Sequence, residues 1–306
     1  MLFEGYSKVF STEGDAQYGT IGAFWEEMSA RFGRENLQGL GCHWTATSIE
    51  YVIGLKEGSF PQDMLPPEGT ERKALILPDY DWQEYTGKTA QLGAMYAAIY
   101  REGPLDFEIE TFCDDSTCAV RIFRKRKCTD TLDALFARRS YRGRFCSNPV
   151  PLKDLQTIVD AGLAAPSGCN KQTTSLAAVN TPEMMQQIIA AIAPPVAATA
   201  PAGIFVLTQR ICAYRDKCFA VQDYSAAIEN MLLAITAMGY ASCWYEGHIT
   251  DTDRICDKLA AILGIPPEYA LVCFLPVGIP ESLPKSPVKK ANAERSFFIA
   301  CEACEE

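Results

Sequence analysis

A chain of 306 residues with 48% hydrophobic and 22% charged side chains has an ordinary globular composition and the length of about two domains. Its formal charge of -10, from 28 basic and 38 acidic residues, disfavours nonspecific binding to nucleic acid or to an anionic membrane. The N-terminus lacks a basic flank followed by an apolar run, and no stretch is apolar for the roughly 18 residues a membrane helix needs. The reading is a soluble, cytoplasmic protein with no membrane and no nucleic acid among its partners.

Thirteen cysteines, an odd count scattered along the chain, read as reduced thiols rather than as a disulfide scaffold. Cys301 and Cys304 form a lone CxxC with no second pair at zinc-site spacing, so it reads as an exposed tail. His43 and His248 are the only histidines, too few for a histidine-rich metal site or an obvious Ser/His/Asp triad, and no metal is expected.

Residues 1–127 read as strands and helices in two similar halves. A strand over Tyr6–Ser11 precedes an amphipathic helix around Phe24–Phe32, and a strand rich in Thr, Ile, Tyr and Val runs from Thr45 to Gly54. The stretch Ser59–Gly69, with Pro61, Pro66 and Pro67, is a loop. The second half repeats the order. A strand from Lys73 to about Tyr85 leads to a helix on which Leu92, Met95, Tyr96, Ile99 and Tyr100 recur at helical spacing. Beyond Gly103-Pro104, period two puts Phe107 and Ile109 on one face of a strand and Glu108, Glu110 and Phe112 on the other. A hairpin through Asp114-Asp115-Ser116 returns along Ala119–Phe123, and the basic cluster Arg121–Lys127 is a solvated strand end and linker.

This pattern of halves, with the strand Glu50-Tyr51-Val52-Ile53-Gly54 and the Glu110-x-Phe112 strand, resembles the effector-binding domain of AraC-type activators and of gyrase-inhibitory-protein-like proteins. The resemblance implies that a glutamate on the late strand faces a cleft between the halves and meets a cationic or polar small ligand. Glu110 matches that place, Glu108 is the other register, and Trp44 and Tyr51 are wall residues. Phe112 stands where Tyr is frequent, and no DNA-binding module is attached. Taken alone, the residues fit equally two acids facing water on a half-exposed sheet.

Residues 128–306 form a second domain, entered through a linker at Cys128–Asp130. A helix from Asp130 carries Leu132, Leu135 and Phe136 on one face and ends in Arg138-Arg139-Ser140-Tyr141-Arg142. Three guanidinium groups and a hydroxyl within five residues make a place to hold phosphate, or equally an ordinary solvated basic turn. The side chains must supply the attraction, since a helix C-terminus is itself partly negative.

Asn148-Pro149 and Pro151 start a helix with Leu152, Leu155, Ile158, Val159 and Leu163 on its buried side, stopped by Pro166. The loop Ala165–Gln172 then offers Ser167, Asn170 and Gln172, whose donor and acceptor groups suit the edge of a heterocycle. A strand over Leu176–Asn180, a helix begun by Pro182, a loop over Pro194–Pro201 and a buried strand over Ile204–Leu207 follow. The longest helix, Val221–Met238, has small and apolar positions at Ala226, Ala227, Met231, Ala234 and Ile235. The loop Gly239–Gly247 closes it. A helix capped near Thr250 carries Ile255, Leu259, Ile262 and Leu263 to Gly264, and the last strand is Ala270–Val277.

The order Arg-Arg-Ser-x-Arg, Pro-Ser-Gly-x-Asn-x-Gln, Gly-x-x-Ser-Cys-Trp-x-x-Gly, Leu-Gly-Ile-Pro-x-x-Tyr and Pro-Val-Gly-x-Pro over residues 130–290 resembles the FMN-dependent nitroreductase family. The resemblance implies an α+β sandwich with a central mixed sheet, a homodimer with two FMN sites at its interface, and ends that wrap the partner. By it Arg138, Ser140 and Arg142, with Arg139 nearby, hold FMN phosphate and ribityl groups, and Pro166, Ser167, Asn170 and Gln172 meet the flavin ring. Glu246 and Gly247 match the loop passing flavin N5, and Lys289 and Lys290 match a basic pair at the phosphate. The implied activity is ping-pong hydride transfer from NADH or NADPH to a nitroaromatic, quinone or similar small-molecule acceptor. No side chain stands out as a general acid, and no catalytic residue is named. The alternative is a ligand or redox sensor with little turnover.

Overall fold

The structure is a computed structural model that describes residues 1–297 apart from 63 and 115, together with residue 299. The CxxC at Cys301 and Cys304 lies outside the described residues.

The first part of the chain runs β1 (Leu2–Ser11), α1 (Ala16–Phe32), β2 (Leu37–Cys42), β3 (Ser48–Leu55), β4 (Glu71–Ile76), β5 (Gln83–Lys88), α2 (Leu92–Arg101), β6 (Phe107–Phe112) and β7 (Thr117–Phe123). The seven strands form one sheet in the order β4-β1-β3-β2-β6-β7-β5. Every neighbouring pair is antiparallel. With the edge strand β4 set aside, the order β1-β3-β2 meets β6-β7-β5, the same strand-helix-strand-strand unit twice, joined through β2 and β6.

Two expectations need correction here. The strand expected over Lys73–Tyr85 is two strands, β4 and β5, separated at Leu77–Trp82 around Pro78, which has no N–H to give a ladder. The strand expected over Thr45–Gly54 is only β3, and the preceding β2 is an additional strand. Its Gly39 and Gly41 blur the β pattern, yet both are required. A Cβ at Gly39 would strike the Tyr51 hydroxyl, and one at Gly41 would come within 2.7 Å of the Glu108 carboxylate.

Alternation along the strands gives the sheet two apolar faces. Tyr6, Phe10, Ile49, Tyr51 and Ile53 pack with Phe24, Trp25 and Met28 of α1. On the opposite face Phe3, Leu40, Val52, Leu75, Phe107 and Ile109 join residues from the later half of the chain in one continuous core. Phe107 and Phe123 are fully buried there, each worth roughly 1.5–3 kcal/mol of burial.

That later half runs α3 (Thr131–Ala137), α4 (Leu152–Leu163), β8 (Thr174–Val179), α5 (Pro182–Ala191), β9 (Ala202–Thr208), β10 (Cys212–Tyr214), β11 (Lys217–Cys218), α6 (Ala220–Ala237), α7 (Gly247–Thr250), α8 (Ile255–Leu263) and β12 (Ala270–Val277). Its central sheet is β12-β9-β8, antiparallel throughout. Isolated bridges Ala241–Gly278 and Tyr245–Phe274 lay residues 241–245 along β12. The expected mixed sheet reduces, among the described residues, to a single parallel bridge, Ser140–Ser242. Ile204 and Val206 of β9 face the shared core with α4 and α6, while Phe205 and Leu207 face α5 and α8.

Several side chains lie elsewhere than expected. Leu152 and Leu163 of α4 are exposed; Leu155, Ile158 and Gly162 make its buried face, with Gly162 set against Met231 of α6. On α3, capped by the Asp130 carboxylate, only Ala134 is buried, and Leu132, Leu135 and Phe136 are exposed. Thr250 ends α7 and caps nothing; α8 starts after Arg254, and Gly264 closes it in the left-handed region as expected. The hairpin β10–β11 is an element the apolar pattern does not signal, being mostly exposed.

The two halves are joined by polar bonds as well as by the core. Ile76 N–H donates to Ser147 Oγ (2.9 Å) and Ser147 N–H to Ile76 O (3.0 Å). Glu50 accepts from Ser7, His43 (2.6 Å) and Lys73 (2.5 Å), while the other His43 ring nitrogen meets Ser147 O at 3.1 Å. The Arg121–Lys127 stretch is not simply solvated. Lys125 is 13% exposed, bonds Tyr240 Oη at 2.6 Å and lies 3.6 Å from the Asp154 carboxylate.

Candidate functional site

Two sites emerge, one in each half. The first is a cavity of about 490 Å³ between the N-terminal sheet and the helices α1 and α2. Trp44, Tyr51 and Glu110 all line it, as do Trp25, Tyr96, Tyr100 and Glu108. Glu108 and Glu110 are i and i+2 on β6, so both carboxyls face the cavity, and neither register is the alternative of the other. This replaces the reading of two acids facing water: Glu108 is 3% exposed and Glu110 6%.

Each acid has its own tyrosine. Tyr100 donates to Glu108 at 2.8 Å, Tyr96 to Glu110 at 2.8 Å, and Tyr51 to Glu110 at 3.5 Å while accepting from the Trp25 indole at 3.0 Å. Burial pushes the Glu108 carboxyl up to about 8; the Tyr100 bond pulls it back in part, and the neighbouring Glu110 raises it again. Burial also raises Glu110, against the bonds from Tyr96 and Tyr51 and the charge of Arg34. The cavity is thus an aromatic box with two buried acids, both raised above the ordinary carboxylate value, Glu108 far enough to keep its proton near neutrality. Tyr96 and Tyr100, one helical turn apart and stacked at 5.8 Å, read in the sequence as part of a core stripe, and their hydroxyls were the missed signal.

In the second site α6 is the common anchor. Arg138 Nε pairs with Glu229 of α6 at 3.5 Å. Buried Asp223, one turn into α6, accepts from Gly168 N–H and Thr173 Oγ1, each at 2.7 Å, and so pins the loop 166–172. Tyr224 donates to Glu246 at 2.7 Å, and the Trp244 indole donates to the other Glu246 oxygen at 2.8 Å. None of these three α6 side chains was singled out in the sequence, where only its small and apolar positions drew notice.

Ser140 bridges Ser242, and Tyr141 N–H donates to Ser242 O at 2.8 Å. Burial raises the Cys243 thiol, against the charges of Arg142 and Arg138 and the Ser140 hydroxyl. Arg142 also lines an open cleft of about 530 Å³ with Arg144, Tyr245 and His248. Arg139 donates to Ser286 Oγ at 3.0 Å, tying the C-terminal stretch that carries Lys289 and Lys290, both exposed, to the arginine turn.

In the loop, Pro166, Asn170 and Gln172 are exposed and Ser167 half-buried. Ser167 Oγ accepts from Gln172 N–H at 3.0 Å, and Cys169, Asn170 and Gln172 all have φ near +50°. Three left-handed non-glycine residues in four positions mark a strained, over-determined turn of the kind found at binding sites. Gly247 is exposed, and a Cβ built on it meets nothing within 4 Å, so its backbone faces open space. Ser242 Oγ is buried without a partner among the described residues.

The profile of the Nitroreductase family matches residues 135–202 and 185–279, the stretch that holds α6 and nearly all the segments it anchors. The C-terminal part carries a nitroreductase-family domain. An Archaeoglobus fulgidus protein assigned as an NADH dehydrogenase/NAD(P)H nitroreductase is 29% identical over 153 residues, 50% of this chain and 86% of that protein. One of the same name from Methanothermobacter thermautotrophicus is 28% identical over 167 residues, 54% of this chain and 85% of its own. Among solved structures, a nitroreductase with bound FMN from Bacteroides fragilis is 26% identical with a TM-score of 0.45, covering 56% of this chain and 100% of its own. A BluB-like flavoprotein from Clostridium difficile 630 is also 26% identical, covers the same shares and has a TM-score of 0.49. No helix among the described residues is long and apolar enough to cross a membrane, and the eleven described cysteines are all free.

Proposed function

We propose that the protein is an FMN-dependent NAD(P)H oxidoreductase whose cofactor sits on the α6-anchored segments, with residues 1–127 as an accessory small-molecule-binding unit. The observation that carries this reading is that Glu229, Asp223 and Tyr224 of one helix hold Arg138, the 166–172 loop and Glu246 in place together. The donor set fits FMN. Cations and a hydroxyl at 138–142 suit phosphate and ribityl oxygens, amides at 170 and 172 suit a ring edge, and the bare backbone at Gly247 leaves room for a flat ring to pass.

In this reading Arg138, Ser140 and Arg142 hold the phosphate end, with Arg139, Lys289 and Lys290 adding charge around it. Pro166, Ser167, Asn170 and Gln172 orient the ring, and Glu246, immobilised by Tyr224 and Trp244, holds the Gly247 N–H toward flavin N5. FMN, when bound, supplies two-electron transfer from NADH or NADPH to a nitroaromatic, quinone or similar acceptor in alternation. Lys171 is the cation suited to the N1/O2 edge, where it would favour negative charge on the ring. The exposed apolar side chains Leu132, Leu135 and Phe136 of α3 call for a covering surface, and a second copy of the chain supplies it in this reading.

The test is a visible spectrum of the purified protein followed by anaerobic addition of NADH or NADPH. Bleaching, then repeated recovery on adding a quinone or nitroaromatic, is the expected outcome; slow bleaching without turnover would instead favour a redox sensor. Arg138→Ala with Ser140→Ala removes two charge-assisted or polar contacts and is expected to weaken FMN retention about tenfold or more. Full flavin content in that double variant would overturn the phosphate assignment.

A further inference from the structure

A third cluster lies at the seam between the halves, where β2 ends. Cys42 is the last residue of β2 and stands directly opposite Glu50 of β3, so the two side chains share the sheet face that packs on the common core. Regular alternation would send His43, one residue on, to the other face. Instead its φ is +51°, in the left-handed region, and the ring turns back onto the Glu50 carboxylate, with Nδ1 2.6 Å from Oε2. The Cys42 thiol, a His43 ring nitrogen and a Glu50 oxygen thereby all come within 4.8 Å of one another, with Cys42 and Glu50 buried. An ion pair between His43 and Glu50 accounts for the carboxylate but gives no part to the thiol at the third corner.

We propose that Cys42, His43 and Glu50 bind one zinc-class divalent cation through Sγ, Nδ1 and Oε2, with water in the fourth position. The surroundings sort the ligand atoms. His43 Nε2 lies 3.1 Å from Ser147 O, so the ring proton belongs there and Nδ1 keeps its lone pair; an outer bond of this kind is what orients a metal-binding imidazole. On Glu50, Ser7 and Lys73 (2.5 Å) both donate to Oε1, which leaves Oε2 to the ion. Sulfur, imidazole nitrogen and carboxylate oxygen are the donors zinc takes in four-coordinate sites, whereas magnesium and calcium take oxygen. Nδ1 and Oε2 need part only from 2.6 Å to about 3.3 Å to share one tetrahedral ion. Burial and the Glu50 charge raise the free thiol, against Lys73; the ion displaces its proton to solvent as the sulfur–metal bond forms. Thiolate and carboxylate then cancel the dication, and Lys73 has Glu71 at 3.1 Å as its own counter-charge. The cleft of about 700 Å³ between the halves, which His43 lines, is the way in for ion and water. Since His43 is tied to Ser147, the bound ion staples the two halves together. Two histidines are too few for a histidine-rich site, but a mixed ligand set needs one.

The experiment uses the full-length protein with Cys301→Ser and Cys304→Ser, which removes the tail thiols as a rival site. After treatment with a chelator, cobalt(II) is titrated in and followed in the red, clear of flavin absorption, where tetrahedral cobalt absorbs strongly and octahedral cobalt barely at all. Zinc is then added to displace it. The expected result is one tetrahedral cobalt per chain, displaced by zinc, and a thermal midpoint that rises with zinc concentration. His43→Gln is expected to weaken cobalt binding about a hundredfold or more, beyond the roughly 10–100-fold that loss of an outer hydrogen-bond partner costs. Cys42→Ser is expected to move the cobalt bands to shorter wavelength as sulfur gives way to oxygen. Far-UV dichroism checks each variant, and should Cys42→Ser not fold, His43→Gln decides alone. Less than one cobalt per chain, an octahedral spectrum, or affinity and bands unchanged in the variants would overturn the proposal and leave His43 and Glu50 as an ion pair. No step of the test involves the flavin, so the FMN reading stands or falls separately.

Discussion

Glu50 and Glu108 lie on opposite faces of one sheet and hold their protons in opposite ways. Burial alone would raise Glu50, but hydrogen bonds from His43, Lys73 and Ser7 outweigh it and bring the carboxyl down to about 2. Its contribution to stability is therefore present above the ordinary value of 4.5 and lost as pH falls toward 2. Glu108, raised to about 8, keeps a proton in the folded chain that the unfolded chain has released, so stability falls as pH rises from 4.5 to 8. Urea unfolding across that window is expected to show a smaller decline for Glu108→Gln than for the parent. An identical slope would mean that Glu108 is ionised in the folded protein.

At the scale of elements, β2 shows why part of the fold was hidden from its own sequence. Leu37, Leu40 and Cys42 are buried as a strand requires, but Gly39 and Gly41 between them carry no side chain to complete the alternation. They are absent side chains with a purpose, making room for Tyr51 and Glu108 on the cavity floor. Gly41→Ala is expected to cost about 1–3 kcal/mol by overpacking, read as a lower urea midpoint. The period-two reading of β6 did assign the acids and the apolar residues to the correct opposite faces, because both faces are packed and neither tolerates the other's residues. Helix α3 is the contrary case. Its stripe of Leu132, Leu135 and Phe136 has helical period but no partner within the described residues, since periodicity says which face is apolar and not what covers it. If the proposed dimer forms through this face, Phe136→Asp is expected to shift sedimentation toward monomer and to lower flavin content together; an unchanged sedimentation profile would remove this face from the proposed dimer.

For the whole molecule the telling feature is the continuous core. The motifs of the nitroreductase domain were legible because they are backbone turns and charged side chains at fixed spacing. What no local pattern encodes is that Phe3, Leu40, Val52 and Phe107 would pack in one cluster with Val150, Ile158, Ile228 and Ile279. The basic stretch at Arg121–Lys127 misled for the same reason: the residues that draw Lys125 inward, Asp154 and Tyr240, are far along the chain. Two regions that share a core lose it together. Thermal unfolding is therefore expected to give one transition in which tryptophan fluorescence, far-UV dichroism and flavin release coincide, and residues 128–306 expressed alone are expected to aggregate. Two separated transitions would show that the halves fold independently.

Because β6 offers carboxyls to the cavity from one side and Phe107 and Ile109 to the shared core from the other, its tolerance of change is set by parity. Inserting or deleting one residue within 107–112 would swap the two sets, burying acids in oil and aiming greasy rings into the chamber. Such a ribbon can drift by replacing letters but not by gaining or losing one. The chamber's charge and the seam between the halves are thus inherited as a single unit.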